Sequence, residues 1–236
     1  MDQKKKSNTK NRFDLDASAY DERIVKHVNG YLEMHEALLK FIPFALQDKV
    51  KFLDLGVGCG RLDYEILKRF PNSTLLGLDF SEKMIAMAKN RLSAFGDRVQ
   101  LRNTDFEHNL PKETYDVIIM VLALHHLEDK NKAKLIKQLY KKLKPGGTLL
   151  IGDLTKSEST RITKIYMDLW RDNLRANGYS EDYIAKCYHE KYETEDIPAT
   201  LENHLKWLKK AKFSEVEVFW KRYHFVAFGG FKGKIS

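Results

Sequence analysis

Val50-Lys51-Phe52-Leu53-Asp54-Leu55-Gly56-Val57-Gly58-Cys59-Gly60 decides how this chain folds. A short apolar run ending in a glycine cluster reads as a buried strand over Val50 to Leu55 and a loop from Gly56 to Gly60. Beyond it Leu62, Ile66, Leu67 and Phe70 recur at helical spacing until Pro71 stops the pattern. Glycines between a strand and a helix allow a tight turn and let a ligand approach the backbone. The helix N-terminus then offers unpaired N–H groups to an anion.

The same alternation continues downstream. Thr74 to Asp79 reads as a second strand, after which Ser81 can cap a helix carrying Met84, Ile85, Ala88 and Leu92 on one face. Val99 to Asn103 is a third strand, and the nearly unbroken apolar run from Tyr115 to Leu122 suits a central parallel strand. A helix from Asp129 to Leu143 ends at Lys144-Pro145-Gly146-Gly147, and Thr148 to Leu154 is a fifth strand. Right-handed crossovers then give a Rossmann-like, doubly wound α/β sheet, with its ligand crevice beyond the carboxyl ends of the strands. Residues 156–198 read as a helical insertion, followed by a helix from Leu201 to Lys212. Glu215 to Trp220 and Tyr223 to Phe228 are joined too tightly for a crossover and must be antiparallel to each other. Upstream, Ile24 to Phe41 reads as one or two helices. The lysine-rich stretch Met1 to Arg12 is expected to be a disordered tail ahead of a single domain over residues 13–236.

Composition narrows the function classes. A chain of 236 residues with 43% hydrophobic content can bury a full core. No apolar run approaches the roughly 20 residues of a membrane span, and the start lacks the apolar stretch of a signal peptide, so a cytoplasmic location away from membranes is expected. Cys59 and Cys187 show no paired spacing and are expected to be free thiols. Of the formal charge of +8, the first 12 residues carry +4, and the remaining basic residues are mostly scattered lysines. That pattern favours a small-molecule substrate over nucleic acid.

Two details of the glycine loop select a cofactor. Asp54 precedes Gly56 by two residues, and Arg61 stands where a dinucleotide site has its third glycine. A carboxylate there repels a pyrophosphate and attracts an ammonium or sulfonium cation, both of which S-adenosylmethionine carries. Asp79 follows Gly56 by 23 residues, close to the roughly 20-residue offset at which a carboxylate meets ribose hydroxyls; its alternative role is helix capping beside Ser81. Asp105, after the third strand, can accept from an adenine amino group, with Phe106 packed on the ring.

With these residues in place, DLGVGCG, GLDFS, NTDFE and LALHHL followed by LKPGG resemble class I S-adenosylmethionine-dependent methyltransferases over residues 50–154. The resemblance implies a seven-stranded sheet with an antiparallel final hairpin and S-adenosyl-L-methionine as cofactor, leaving S-adenosyl-L-homocysteine as product. It implies cofactor contacts at Asp54, Leu55, Gly56, Gly58, Gly60, Asp79, Phe80, Met84, Asp105, Phe106 and Val121. The chain is also similar to carboxy-S-adenosylmethionine synthases, which implies a cofactor contact at Tyr31. In those synthases an arginine on the helix before the final hairpin holds the extra carboxylate, and the matching residue here is Trp207. A carboxylated cofactor would therefore lack its bidentate partner, and ordinary S-adenosylmethionine is expected.

His125 and His126 follow the fourth strand at the crevice, where an imidazole can take a proton or simply pack at a helix start. The spacing of the His and Cys residues supports no metal site, and none is expected. Tyr166, Trp170, Tyr179, Tyr183, Tyr188, His189 and Tyr192 make the insertion rich in rings, suited either to a substrate cap or to a helix core. Tyr166 and Trp170 are the substrate candidates there, and by family resemblance Tyr20 closes over the cofactor from the other side. A small-molecule methyltransferase is the favoured reading. The alternatives are a tRNA-modification enzyme or maker of carboxylated cofactor, and a non-catalytic cofactor-binding protein.

Overall fold

The computed structural model describes residues 20–189 and 196–233. Its strands are β1 (Lys51–Leu55), β2 (Thr74–Asp79), β3 (Val99–Asn103), β4 (Tyr115–Val121), β5 (Leu143–Leu154), β6 (Ser214–Arg222) and β7 (Phe225–Phe231). They form one sheet in the order β3-β2-β1-β4-β5-β7-β6. The first five are mutually parallel, whereas β7 runs antiparallel to both β5 and β6. The order reverses at β1 and β4, so the crevice opens between their carboxyl ends.

Two helical stretches precede the sheet, residues 20–27 and α1 (Tyr31–Lys40). They are divided at Gly30, whose φ of 76° suits only a residue free of Cβ strain. A Cβ at Gly30 would come within 2.6 Å of the Trp220 ring, so the N-terminal region packs on the final hairpin only because that position is glycine. α2 (Arg61–Arg69) and α3 (Glu82–Leu92) follow β1 and β2, and Ser81 caps α3 by accepting from the Met84 N–H at 3.2 Å. α4 (Asp129–Lys142) leads directly into β5. That strand begins at Leu143, earlier than the Pro-Gly-Gly sequence suggests, because Leu143 pairs with Tyr115 across an irregular register that absorbs the turn. The insertion contributes α5 (Thr160–Ala176) and α6 (Glu181–Cys187), and α7 (Leu201–Lys210) returns the chain to β6.

Alternation along β1 sends Phe52 into one layer of core, with Met34, Leu38, Ile66 and Trp170, and Leu53 into the other, with Ile118, Leu135, Leu139 and Phe228. Truncating a fully buried Leu53 to alanine should cost about 2–5 kcal/mol. Among the described residues no helix is long and apolar enough to cross a membrane. The basic tail expected over Met1 to Arg12 lies outside the described residues.

Candidate active site

The glycine loop turns at the end of β1 with Gly56, Gly58 and Gly60 all at positive φ. Gly56 carries the strictest demand: at φ 88° a Cβ would sit 2.8 Å from the Ala123 Cβ, closing the gap between the β1 and β4 ends. Asp79 at the end of β2 accepts from the Gly58 N–H at 2.9 Å through one carboxylate oxygen and from the Ser81 N–H at 2.9 Å through the other. It therefore steadies the Ser81 cap of α3 while lining the crevice and bracing the loop.

The crevice is open to solvent at its mouth and encloses about 670 Å³ when that mouth is included. Tyr20, Gly56, Gly58, Asp79, Phe80, Met84, Asp105, Phe106 and Val121 line it, joined by Leu122, Ala123, His126 and Leu127. An adjoining recess is lined by Tyr31, His35, Asp54, Cys59 and Arg61. Most of the expected cofactor contacts therefore converge. Two do not: Leu55 is fully buried in the core, and Gly60 packs against Ala88 and Leu92 where α2 begins.

Asp54 is buried beside Asp63, a residue on the inward stripe of α2 that sequence reasoning passed over. Burial raises the Asp54 carboxyl well above the usual carboxylate range, and the Asp63 charge adds to the effect. Asp63 itself is pushed up to about 7, chiefly by burial. Burial of the two carboxyls together therefore favours a proton on the pair, and a cation arriving beside Asp54 favours its release. His35, packed at a tilt against Tyr31 with ring centroids 4.1 Å apart, is held neutral by burial with its pKa lowered to about 3.

Another unexpected group is Asp21. It pairs with Arg61 at 2.8 Å and with Arg91 at 2.5 Å, and Cys59 donates to it at 3.3 Å. This clamp ties the N-terminal helical stretch to the glycine loop and sets Tyr20 over the crevice, the place expected for it. Beside Asp21, burial pushes the Cys59 thiol up to about 11, so it is no nucleophile at neutral pH.

On the opposite side of the crevice, His126 lines the opening while His125 turns inward. The His125 Nδ1 meets Asp153 Oδ1 at 2.5 Å, and its backbone N–H donates to Asp153 Oδ2 at 2.8 Å. Asp196 Oδ1 lies 3.5 Å from both His125 Nε2 and His126 Nδ1. Burial opposes charge on His125, but the two carboxylates outweigh it and raise its pKa. Asp153 ends β5 at the carboxyl edge of the sheet, a signal that sequence reading could have used. Asp196 gave no such signal.

Among the described residues, the insertion's rings do not line the crevice. Trp170 is core, with its indole N–H donating to the His27 carbonyl at 2.9 Å, which corrects its assignment to substrate. Tyr166 lies against His224 and accepts from Lys221 at 3.2 Å, outside the crevice, so it too is corrected. Tyr179 and Tyr183 stack at 4.6 Å and meet His27 edge-on, fastening the insertion to the N-terminal stretch. Tyr192 lies outside the described residues. Trp207 packs edge-on against His204 at 5.1 Å and is not among the crevice-lining residues, so its identity alone does not set the charge there.

Sheet order, glycine loop and strand-end carboxylates define a class I S-adenosylmethionine-dependent methyltransferase fold. A methyltransferase-domain family model matches residues 52–147. The O-methyltransferase family protein from Burkholderia thailandensis superposes with a TM-score of 0.67 at 19% identity, over 95% of this chain and 63% of that one. Its likeness is one of fold, and this chain spans about half to two thirds of such solved chains. Sequence relatives match almost end to end. The carboxy-S-adenosyl-L-methionine synthase of Nautilia profundicola is 33% identical over 94% of this chain and 95% of that protein. The synthase of Nitratiruptor sp. is 29% identical over 94% of each. The chain belongs to the family within this fold class that includes the carboxy-S-adenosyl-L-methionine synthases.

Proposed function

We propose that this chain binds S-adenosylmethionine in the crevice and transfers its methyl group to a small-molecule acceptor held beside Leu122, Ala123, His126 and Leu127. The charge of the crevice carries this reading. Asp54, Asp79 and Asp105 line it or its recess, and the one arginine or lysine among the described lining residues, Arg61, is already committed to Asp21. Such a site welcomes a cofactor with an ammonium and a sulfonium and disfavours one carrying a further carboxylate. The glycine loop and Asp105 with Phe106 serve the nucleoside, while Asp54 serves the ammonium once its proton leaves. Methyl transfer from a sulfonium needs chiefly alignment of a competent nucleophile, which the apolar acceptor side supplies by excluding water. His126 is the crevice-facing group able to take a proton from an acceptor that needs activation.

A second reading, synthesis of a carboxylated cofactor, is favoured by the names of the full-length relatives. Mass spectrometry of small molecules released on denaturing the purified protein separates the two. S-adenosylmethionine or S-adenosylhomocysteine is expected. A carboxylated adduct, or tighter calorimetric binding of carboxy-S-adenosylmethionine than of the unmodified cofactor, would replace the methyl-transfer reading with the synthase one.

A further inference from the structure

The sequence spacing argues against a metal site, but the fold assembles a ligand set that spacing conceals. We propose that His125 Nε2, His126 Nδ1 and Asp196 Oδ1 bind a divalent first-row transition metal, of the zinc type, at the acceptor side of the crevice. The three atoms lie within 4.8 Å of one another. Asp196 Oδ1 stands 3.5 Å from each ring nitrogen. Metal–ligand bonds of about 2.0–2.2 Å at tetrahedral angles put neighbouring ligand atoms about 3.4 Å apart, which these separations match.

Three further observations support the assignment. The Asp196 side chain is only 5% exposed, and among the described residues its Oδ1 has no hydrogen-bond partner within normal distance. A buried carboxylate oxygen left facing two imidazoles is costly unless a cation lies between them. His125 also has the outer partner typical of a metal ligand, since Asp153 holds its Nδ1 and so directs the Nε2 lone pair toward Asp196. Finally, the approach of Asp196 is built in. The Ile197 N–H donates to the His125 carbonyl at 2.8 Å, and the fully buried Lys132 donates to the Ile197 carbonyl. These bonds hold residues 196–197 against the histidine pair.

Two nitrogens and one oxygen leave a tetrahedral ion with one open position, and His126 lies on the crevice wall. The open position suits an oxygen ligand, water or an oxyanion or hydroxyl of an acceptor. Its service to an acceptor rests on the methyl-transfer reading, whereas metal binding does not. Imidazole with carboxylate selects Zn²⁺, Co²⁺ or Fe²⁺ over Mg²⁺, which prefers an all-oxygen shell.

The test uses the full chain, stripped with a chelator and titrated with Zn²⁺ by calorimetry and with Co²⁺ by visible absorption. One equivalent of each should bind, Co²⁺ giving tetrahedral ligand-field bands without thiolate charge transfer. Asp196→Ala should abolish stoichiometric binding, and Asp153→Asn should weaken it 10–100-fold. Metal-free circular dichroism and thermal unfolding establish that each variant is folded, with Asp196→Asn as the substitute if the alanine variant is not. Failure of the stripped protein to bind either ion would overturn the proposal. So would binding that survives Asp196→Ala, binding lost in His108→Ala at the Asp105–Glu107–His108 cluster, or a thiolate band pointing to Cys59 or Cys187.

Discussion

One side of the crevice is assembled from Asp54, Gly56, Gly58, Asp79 and Asp105, successive strand ends of three adjacent strands. The other gathers His125 and His126 after β4, Asp153 at the end of β5 and Asp196 beyond the insertion. The cofactor side is braced by backbone hydrogen bonds from the loop to β2, by the Asp79 carboxylate and by the Asp21 clamp. The acceptor side is held by a buried pair, His125 with Asp153, beside a further buried carboxylate, Asp196. Damage to the first should appear in binding, and damage to the second in stability.

The largest expected effect is on the acceptor side. Asp153→Ala strands His125 beside Asp196 alone and should cost about 3–5 kcal/mol in urea unfolding, as expected for breaking a buried pair. A loss below about 1 kcal/mol would erase the contrast between the two sides. Next comes Gly56→Ala, with strain of about 1–2 kcal/mol at its positive φ and contact with Ala123. Because that Cβ narrows the crevice, S-adenosylhomocysteine affinity by calorimetry should fall more than tenfold while the fold survives.

Titration sharpens the comparison. A carboxyl raised to about 7 in the folded state binds a proton that the unfolded chain releases near 4, so the Asp54–Asp63 pair makes stability fall as pH rises between those values. Asp63→Asn should flatten that slope and stabilise the protein by about 1–2 kcal/mol at pH 8. Binding of S-adenosylmethionine should release a proton from the Asp54–Asp63 pair, visible as a buffer-dependent binding enthalpy. The metal-free acceptor side has the same sign in a higher window. His125, raised by Asp153 and Asp196, lends stability that is complete below its unfolded pKa of about 6.5 and is lost as pH climbs through the folded value.

Smaller effects are expected farther out. Asp21→Ala releases Arg61 and Arg91 from a partly exposed clamp and should cost about 1 kcal/mol or less, with a few-fold loss of cofactor affinity as Tyr20 loosens. Trp207→Arg should leave cofactor affinity within about twofold, since Trp207 packs on His204 away from the crevice lining. A strong gain for a carboxylated cofactor in that variant would show that α7 reaches the site in a way this packing does not provide.

By itself the sequence determined the sheet, the crevice and most of the cofactor side. Strand, turn and helix periods are local properties, and the glycines and carboxylates that matter there sit at strand ends where the period breaks. Ser81 capping α3 and the antiparallel hairpin follow the same logic, whereas Tyr20 at the crevice came only from family resemblance. Tertiary structure alone decided which rings are core and which charges meet. Trp170 and Tyr166 look like pocket residues until the N-terminal stretch and β6 are found against them. Asp63 looks like a solvated helix carboxylate until α2 turns it onto Asp54. Asp196 reaches His125 and His126 only because Lys132 and the His125 carbonyl fasten Ile197, from the far end of the insertion. Periodicity records which face of an element is buried. It does not record which buried face another part of the chain will meet, because that is set by packing between residues distant in sequence.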